Sequence, residues 1–187
     1  VIVLLMAALI AAPRPPRSGA APQPIEQLQL SDVELRQRVE TYLGGIDRGV
    51  TSARWKALGP KAAPLLEAVI NDGSQFPSRR AKAVDGLVAV APDRAAEVVG
   101  KLARDEKQPV VVRVAAMHGA AQLFSSARTL SELRPVLHTS RSMGLRAEAA
   151  DLISHKQGGC AEVRDQVARE KAEHRHAFER AMKRCSE

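Results

Sequence analysis

The chain has 187 residues, of which 28 are Lys or Arg and 21 are Asp or Glu, for a net charge of +7 and a pI near 9.9. That surplus falls short of a nucleic-acid signature, because Glu34, Arg36, Arg38 and Glu40 mix both signs within a few residues. Aromatics make up only 3%, which excludes a core built on large rings and leaves Ala, Val and Leu to fill thin layers of closely paired helices.

Val1 to Ala12 is an apolar run of 12 residues, shorter than the roughly 20 needed to span a bilayer but matching the apolar stretch of a secretory signal. Ser18-Gly19-Ala20 and Ala21-Pro22 offer cleavage positions. Residues 1–20 are therefore expected to be signal-like and the chain exported, to a periplasm or the extracellular space; a short buried helix there would instead leave it cytoplasmic. No Cys follows the run, which disfavours a lipid anchor. Residues 21–30 continue a Pro-rich tether, and removal of Arg14 and Arg17 would leave a charge of about +5. Residues 31–187 are expected to form a helical repeat domain with atypical end helices.

The first helix is expected within Glu26 to Leu43, where Ser31 and Glu34 match a capping box and Leu35, Val39 and Leu43 recur at intervals of four. Gly44-Gly45 stops it. Ser52 to Leu58 and Lys61 to Ile70 follow, separated by Gly59-Pro60, and then Ser78 to Val90, Asp93 to Arg104, and a helix opened by Pro109 that runs to Leu123. Ser131 to Leu137 and Met143 to Ser154 form the next pair. Cys160 to Arg184 reads as one last helix, dominated by charge beyond Ala172. Unbroken, that helix would hold Cys160 and Cys185 about 37 Å apart, so two free thiols or an intermolecular bond is expected rather than an internal bridge.

A 33-residue interval organises the middle of the chain. It superposes Arg80, Arg113 and Arg146, and three residues later Ala83, Ala116 and Ala149. The same interval aligns Asp72, Asp105 and His138, Leu66 with Val99, Val69 with Leu102, and Ala63 with Ala96. The third unit needs a shift of about one residue to bring Leu133 and Val136 inward. The alanines are expected where helices nearly touch, and the arginines are expected to hold the turn aspartates bidentately, as a structural ladder of Asp72, Arg80, Asp105, Arg113 and Arg146. His138 breaks that pattern at its third rung. Asp85, His118 and Asp151, also at this interval, are expected to line one face, the candidate partner-binding stripe.

Four stretches carry a family resemblance: WKALGPKAAPLLEAVIND at 55–72, RRAKAVDGLVAVAPDRAAEVVGKLARDE at 79–106, VRVAAMHGAAQL at 112–123 and, more weakly, LRAEAADLISH at 145–155. These units resemble HEAT repeats of the short bacterial type related to the phycobilin-lyase (PBS lyase) group. The resemblance implies an all-α fold, a short right-handed α-solenoid of antiparallel helix pairs, and a role in protein contacts; a minority of the family acts on chromophores. Asp85-Gly86 and His118-Gly119 depart from the Leu-Gly of the pattern, as does His138 from its Asp.

Catalytic patterns are sparse. His174 and His176 point about 200° apart on a helix and do not converge on a metal. Cys160 follows Gly158-Gly159 at a helix start, where a thiolate would be favoured, but no base accompanies it. No phosphate loop or paired-carboxylate spacing occurs. The expectation is a non-catalytic scaffold without cofactor or metal, binding another protein. Nucleic-acid or anionic-ligand binding through the arginines is the alternative, and a lyase-like enzyme is implied by the resemblance alone.

Overall fold

The computed structural model describes residues 28–45 and 49–186, all of them helix, turn or connecting segment with no strand among them. The signal-like segment and most of the tether lie outside the described residues. The helices are α1 (Asp32–Gly44), α2 (Ser52–Ala57), α3 (Ala63–Asn71), α4 (Pro77–Val90), α5 (Pro92–Arg104), α6 (Val110–Leu123), α7 (Ser126–Thr139), α8 (Met143–Ser154), α9 (Gly159–Arg169) and α10 (Glu179–Arg184). Short 3-10 turns at Pro60–Ala62 and Ala172–Phe178 complete this multi-helix bundle.

Local signals account for most boundaries. Helix α1 begins at Asp32 because Ser31 and Glu34 satisfy each other's backbone N–H groups, the reciprocal cap expected there. Its Leu35, Val39 and Leu43 are buried. Proline occupies the first turn of α3, α4 and α5, where its missing N–H has no helical partner to lose. Helix α7 starts five residues earlier than expected, since the Ser125 side chain accepts the Arg128 N–H and caps it. Pro135 is tolerated inside that helix, and its carbonyl accepts from the Thr139 hydroxyl at 2.8 Å.

The 33-residue interval survives in three dimensions. Helices α4, α6 and α8 begin at Pro77, Val110 and Met143. Helix α4 packs on α6, α6 on α8, and α8 on α10, while α5 packs on α7 and α7 on α9. Ala83, Ala116 and Ala149 are fully buried, as are Leu66 and Val99. Leu133 and Val136 are buried too, so the third unit takes the expected slip. Ala63 is buried but its counterpart Ala96 is half-exposed, Ala95 having taken the inward place.

Glycine tightens the same contacts. A Cβ on Gly119 would stand 2.9 Å from Val88 Cγ2 and 3.1 Å from Val99 Cγ1, and one on Gly86 would stand 3.1 Å from the Trp55 ring. These glycines let α6 and α4 seat closely on the side chains beneath them. Among the few large rings, Trp55 is fully buried and edge-on to Tyr42 at 5.1 Å, Phe124 is buried after α6, Phe178 is fully buried before α10, and Phe76 is exposed.

The C-terminal region departs from the expected single helix. Helix α9 stops at Arg169, and Glu170 and Lys171 are extended, with ψ of 145 at both. The chain then returns through the 3-10 turn and α10. No Gly or Pro causes this break. Glu170 is instead drawn into a buried contact: Arg146 Nε donates to Oε1 at 2.5 Å and Nη2 to Oε2 at 2.7 Å, and Gln166 Nε2 adds a bond of 2.7 Å to Oε1. The reversal brings Cys185 back to Cys160, the Cα atoms 5.3 Å apart, and the two are disulfide-bonded. The expectation of free or intermolecular thiols is thereby overturned, because it rested on an unbroken helix.

Candidate functional site

Two sets of side chains from the repeat compete for a functional role, and their geometry separates them. The arginines face inward. Arg80 and Arg113 are buried, at 7% and 6% exposure, yet among the described residues neither forms an ion pair with its turn aspartate. Arg80 Nε donates to the Ile70 carbonyl at 2.9 Å, and Arg113 Nε to the Ala103 carbonyl at 2.9 Å. These carbonyls lie in the last turns of α3 and α5, where the helix leaves acceptors without partners and concentrates negative charge. The expected bidentate Asp–Arg pair is corrected accordingly: the guanidinium caps the preceding helix.

The aspartates order their own turns. Asp72 accepts from the Ser74 N–H at 2.9 Å, the Ser74 hydroxyl at 2.6 Å and Gln75 Nε2 at 2.8 Å. Those bonds, the Ser74 hydroxyl first, hold its carboxyl at about 2, with Arg80 the weakest contributor. Asp105 accepts from Gln108 and from the Lys107 N–H, which lower its pKa in that order. Gln108 also joins one layer to the previous one, since its Oε1 accepts from Arg80 Nη2 at 2.7 Å. The interval from Gln75 to Gln108 is again 33 residues, a signal that the Asp–Arg reading passed over.

The third rung is built differently. Arg146 Nη1 donates to the Ser140 carbonyl at 2.9 Å, while its other nitrogens take Glu170. His138, in the aspartate's place, hydrogen-bonds Gln166 at 2.7 Å and Glu162 at 3.2 Å. The position expected to lack an Arg–carboxylate pair thus acquires one, from a residue at the far end of α9. Arg80 is thus held by a carbonyl and Gln108, Arg146 by a carbonyl and Glu170, and Arg113 by the Ala103 carbonyl through Nε alone.

The second set faces a groove. Asp85 on α4 and His118 on α6 share a recess of about 210 Å3 with Val50, Ser52, Trp55 and Val88. Burial among these groups raises the Asp85 carboxyl above its ordinary value, and His118 partly offsets this. The Asp85 side chain itself is exposed. It accepts no hydrogen bond from any described residue. His118 Nε2 lies 2.8 Å from Glu148 Oε1 of α8, which fixes the ring at the rim.

Asp151 does not join them. Its Oδ1 lies 3.9 Å from Arg184 Nη1 of α10. The structure therefore brings together two of the three stripe residues and places the third under the C-terminal helix. A larger recess, about 550 Å3, runs along Leu28–Ser31 and Leu58–Lys61 and carries one charged side chain, Lys61; it adjoins the residues outside the described chain.

Cys160, bonded to Cys185, has no thiol to act as a nucleophile. No group of three or more His, Cys, Asp or Glu among the described residues could hold a metal ion. No described helix is long and apolar enough to cross a membrane. Compared with protein-family models, with curated proteins and with solved structures, the chain finds no match.

Proposed function

We propose that the chain is an exported, non-catalytic scaffold: a short right-handed solenoid of HEAT-like helix pairs that holds another protein against the groove formed by α2, α4 and α6. The observation that carries this reading is the contrast between the two repeated sets. The arginines and turn aspartates make their contacts within the fold, whereas Asp85 is exposed at the recess between α4 and α6 and finds no donor among the described residues. An incoming partner can meet that carboxylate with a charge-assisted contact.

The solenoid assignment is supported by the common 33-residue offset of the helix starts and by the repeated bond from an arginine Nε to a carbonyl ten residues earlier. Each repeat shares its apolar face with the next, which is how such stacks gain stability. Export is supported by the Cys160–Cys185 bond, since disulfides persist in oxidising compartments. Binding of nucleic acid or another anion through the arginines is the less favoured reading, because Arg80 and Arg113 are buried and Arg146 is paired with Glu170.

A photo-crosslinking residue tests the choice of face. Placed at Gln122, which lines the groove, it is expected to capture one distinct protein in the native compartment; placed at the exposed Lys101 on α5, it is not. Equal capture from both positions, or none from Gln122, overturns the assignment.

A further inference from the structure

We propose that the chain pairs with a second copy of itself through the edge formed by the first turns of α4, α6 and α8, in an antiparallel two-fold arrangement. This goes beyond the scaffold reading and does not depend on it.

The three helices run side by side in the same sense. Near their starts, Arg80 of α4 reaches Gln108 at the entry to α6, and further along Val88 of α4 lies against Gly119 of α6. Between α6 and α8, His118 meets Glu148, and beyond them Lys156 meets the Ala121 carbonyl. Early positions thus meet early ones and late positions late ones, so the first turns form one edge. That edge carries apolar surface: Phe76 is 79% exposed, Val110 52% and Val111 47%, with Met143 half-buried at the start of α8. Only Leu28 and Val33 are comparably exposed large apolar residues among those described, so the exposure is concentrated on this edge.

Charge selects the occupant. The turn before α4 carries Asp72, the turn before α6 carries the exposed Glu106 and Lys107, and the turn before α8 carries the exposed Arg141. None of these four forms an ion pair among the described residues. Along the edge the order is therefore acidic, mixed, basic, which is complementary to its own reverse. A two-fold axis at the start of α6 sets Asp72 against Arg141 of the second copy, Phe76 against its Met143 and Glu106 against its Lys107, each contact made twice. Val110 and Val111 meet their own counterparts at the axis. The register holds because the helices start at one common interval, at Pro77, Val110 and Met143, which makes the two halves of the edge equal. A parallel pairing would instead set Asp72 on Asp72 and Arg141 on Arg141. At helix spacings of 8–10 Å the edge is only about 20 Å long, too short to bury the roughly 800 Å2 per partner of a standard interface, so the dimer is weak and transient.

Sedimentation equilibrium of the full chain, with photo-crosslinking, tests the pairing. A monomer–dimer equilibrium with a dissociation constant of order 10–100 μM is expected. Val110→Glu should weaken it at least tenfold while the helical circular dichroism is unchanged, since an acidic residue in the first turn of a helix is favourable. Glu106→Lys should weaken it about threefold or more, and adding Lys107→Glu should restore it, because the exchanged pair again meets its opposite across the axis. A photo-crosslinking residue at Phe76, in a mixture of 15N-labelled and unlabelled chains, should link to residues 141–144 of the second copy; one at the exposed Val33 should give no such link. The proposal is overturned by a chain that stays monomeric up to about 0.5 mM, by a dimer that Val110→Glu leaves intact, by a Glu106→Lys defect that Lys107→Glu does not repair, or by links from Phe76 to residues 72–78 of the second copy.

Discussion

Cys185→Ser should lower the melting temperature by roughly 6–12 °C while leaving the helicity of α1 to α8 in place. The bond closes a loop of 25 residues, for which the loss of loop-closure entropy in the unfolded chain is worth about 3 kcal/mol. A domain of this size moves by about 2–4 °C per kcal/mol. The loss should be concentrated at the C-terminus. Helix α10 packs on α8, α9 and the 3-10 turn, and contributes Ala181 to the core beside the fully buried Phe178. Hydrogen exchange in the variant should therefore accelerate across residues 172–186 before it does so in α4 and α6. The native chain, denatured without reductant, should titrate no thiol. Two free thiols per chain would show that the bond does not form, and an unchanged melting curve in the variant that it does not stabilise the fold.

Glu170→Gln should cost a further large amount, about 2–4 kcal/mol, because it leaves the Arg146 guanidinium half-enclosed without its counter-charge. The Glu170 side chain is only 4% exposed and that of Arg146 14%. The Arg146 hydrogen bonds are the main cause that holds the Glu170 carboxyl below its ordinary range. A carboxylate with a depressed folded pKa contributes stability that is complete above its unfolded value, about 4.3, and is lost as pH falls through the folded value. Glu162, lowered chiefly by Arg134 and then by His138, acts in the same direction. Urea midpoints at pH 7 and pH 3 should thus differ more for the parent than for Glu170→Gln. Identical pH dependence in the two chains would show that the pair contributes nothing to folding.

The chain pattern made much of the fold legible, and the reasons are local. Ser31 with Glu34 specifies a helix start because both partners lie within one turn. Ala83, Ala116 and Ala149 specify close packing because only a small residue fits there, and the one-residue slip at Leu133 and Val136 follows from keeping apolar residues inward. The arginine partner was not legible in the same way. Its acceptor is a backbone carbonyl, which no residue type announces, and the aspartate at the turn was a plausible but mistaken substitute. The Gln75–Gln108 interval was available and would have pointed to side-chain amides as the turn's organisers. The break at Glu170 leaves no local mark at all; it depends on Arg146, 24 positions earlier, and the disulfide depends on the break.

The candidate site was legible only in part, for the same reason. Asp85 and His118 share the 33-residue interval, and the packing of α4 on α6 brings them into one groove. Asp151 obeys the interval as well but meets α10, whose position follows from the chain reversal. Trp55 and Val50 enter the groove from a short helix and its approach that no repeat alignment connects to Asp85.

What distinguishes a binding residue from a structural one here is the sign of its contribution to stability. Burial raises the Asp85 carboxyl above its ordinary value, so its ionisation at neutral pH opposes folding, and the cost fades as pH falls through that raised value. The melting temperature of Asp85→Asn at pH 7 therefore separates the two roles. It should equal or slightly exceed that of the parent. A fall of several degrees would make Asp85 a support of the fold, and would contradict its assignment to the partner.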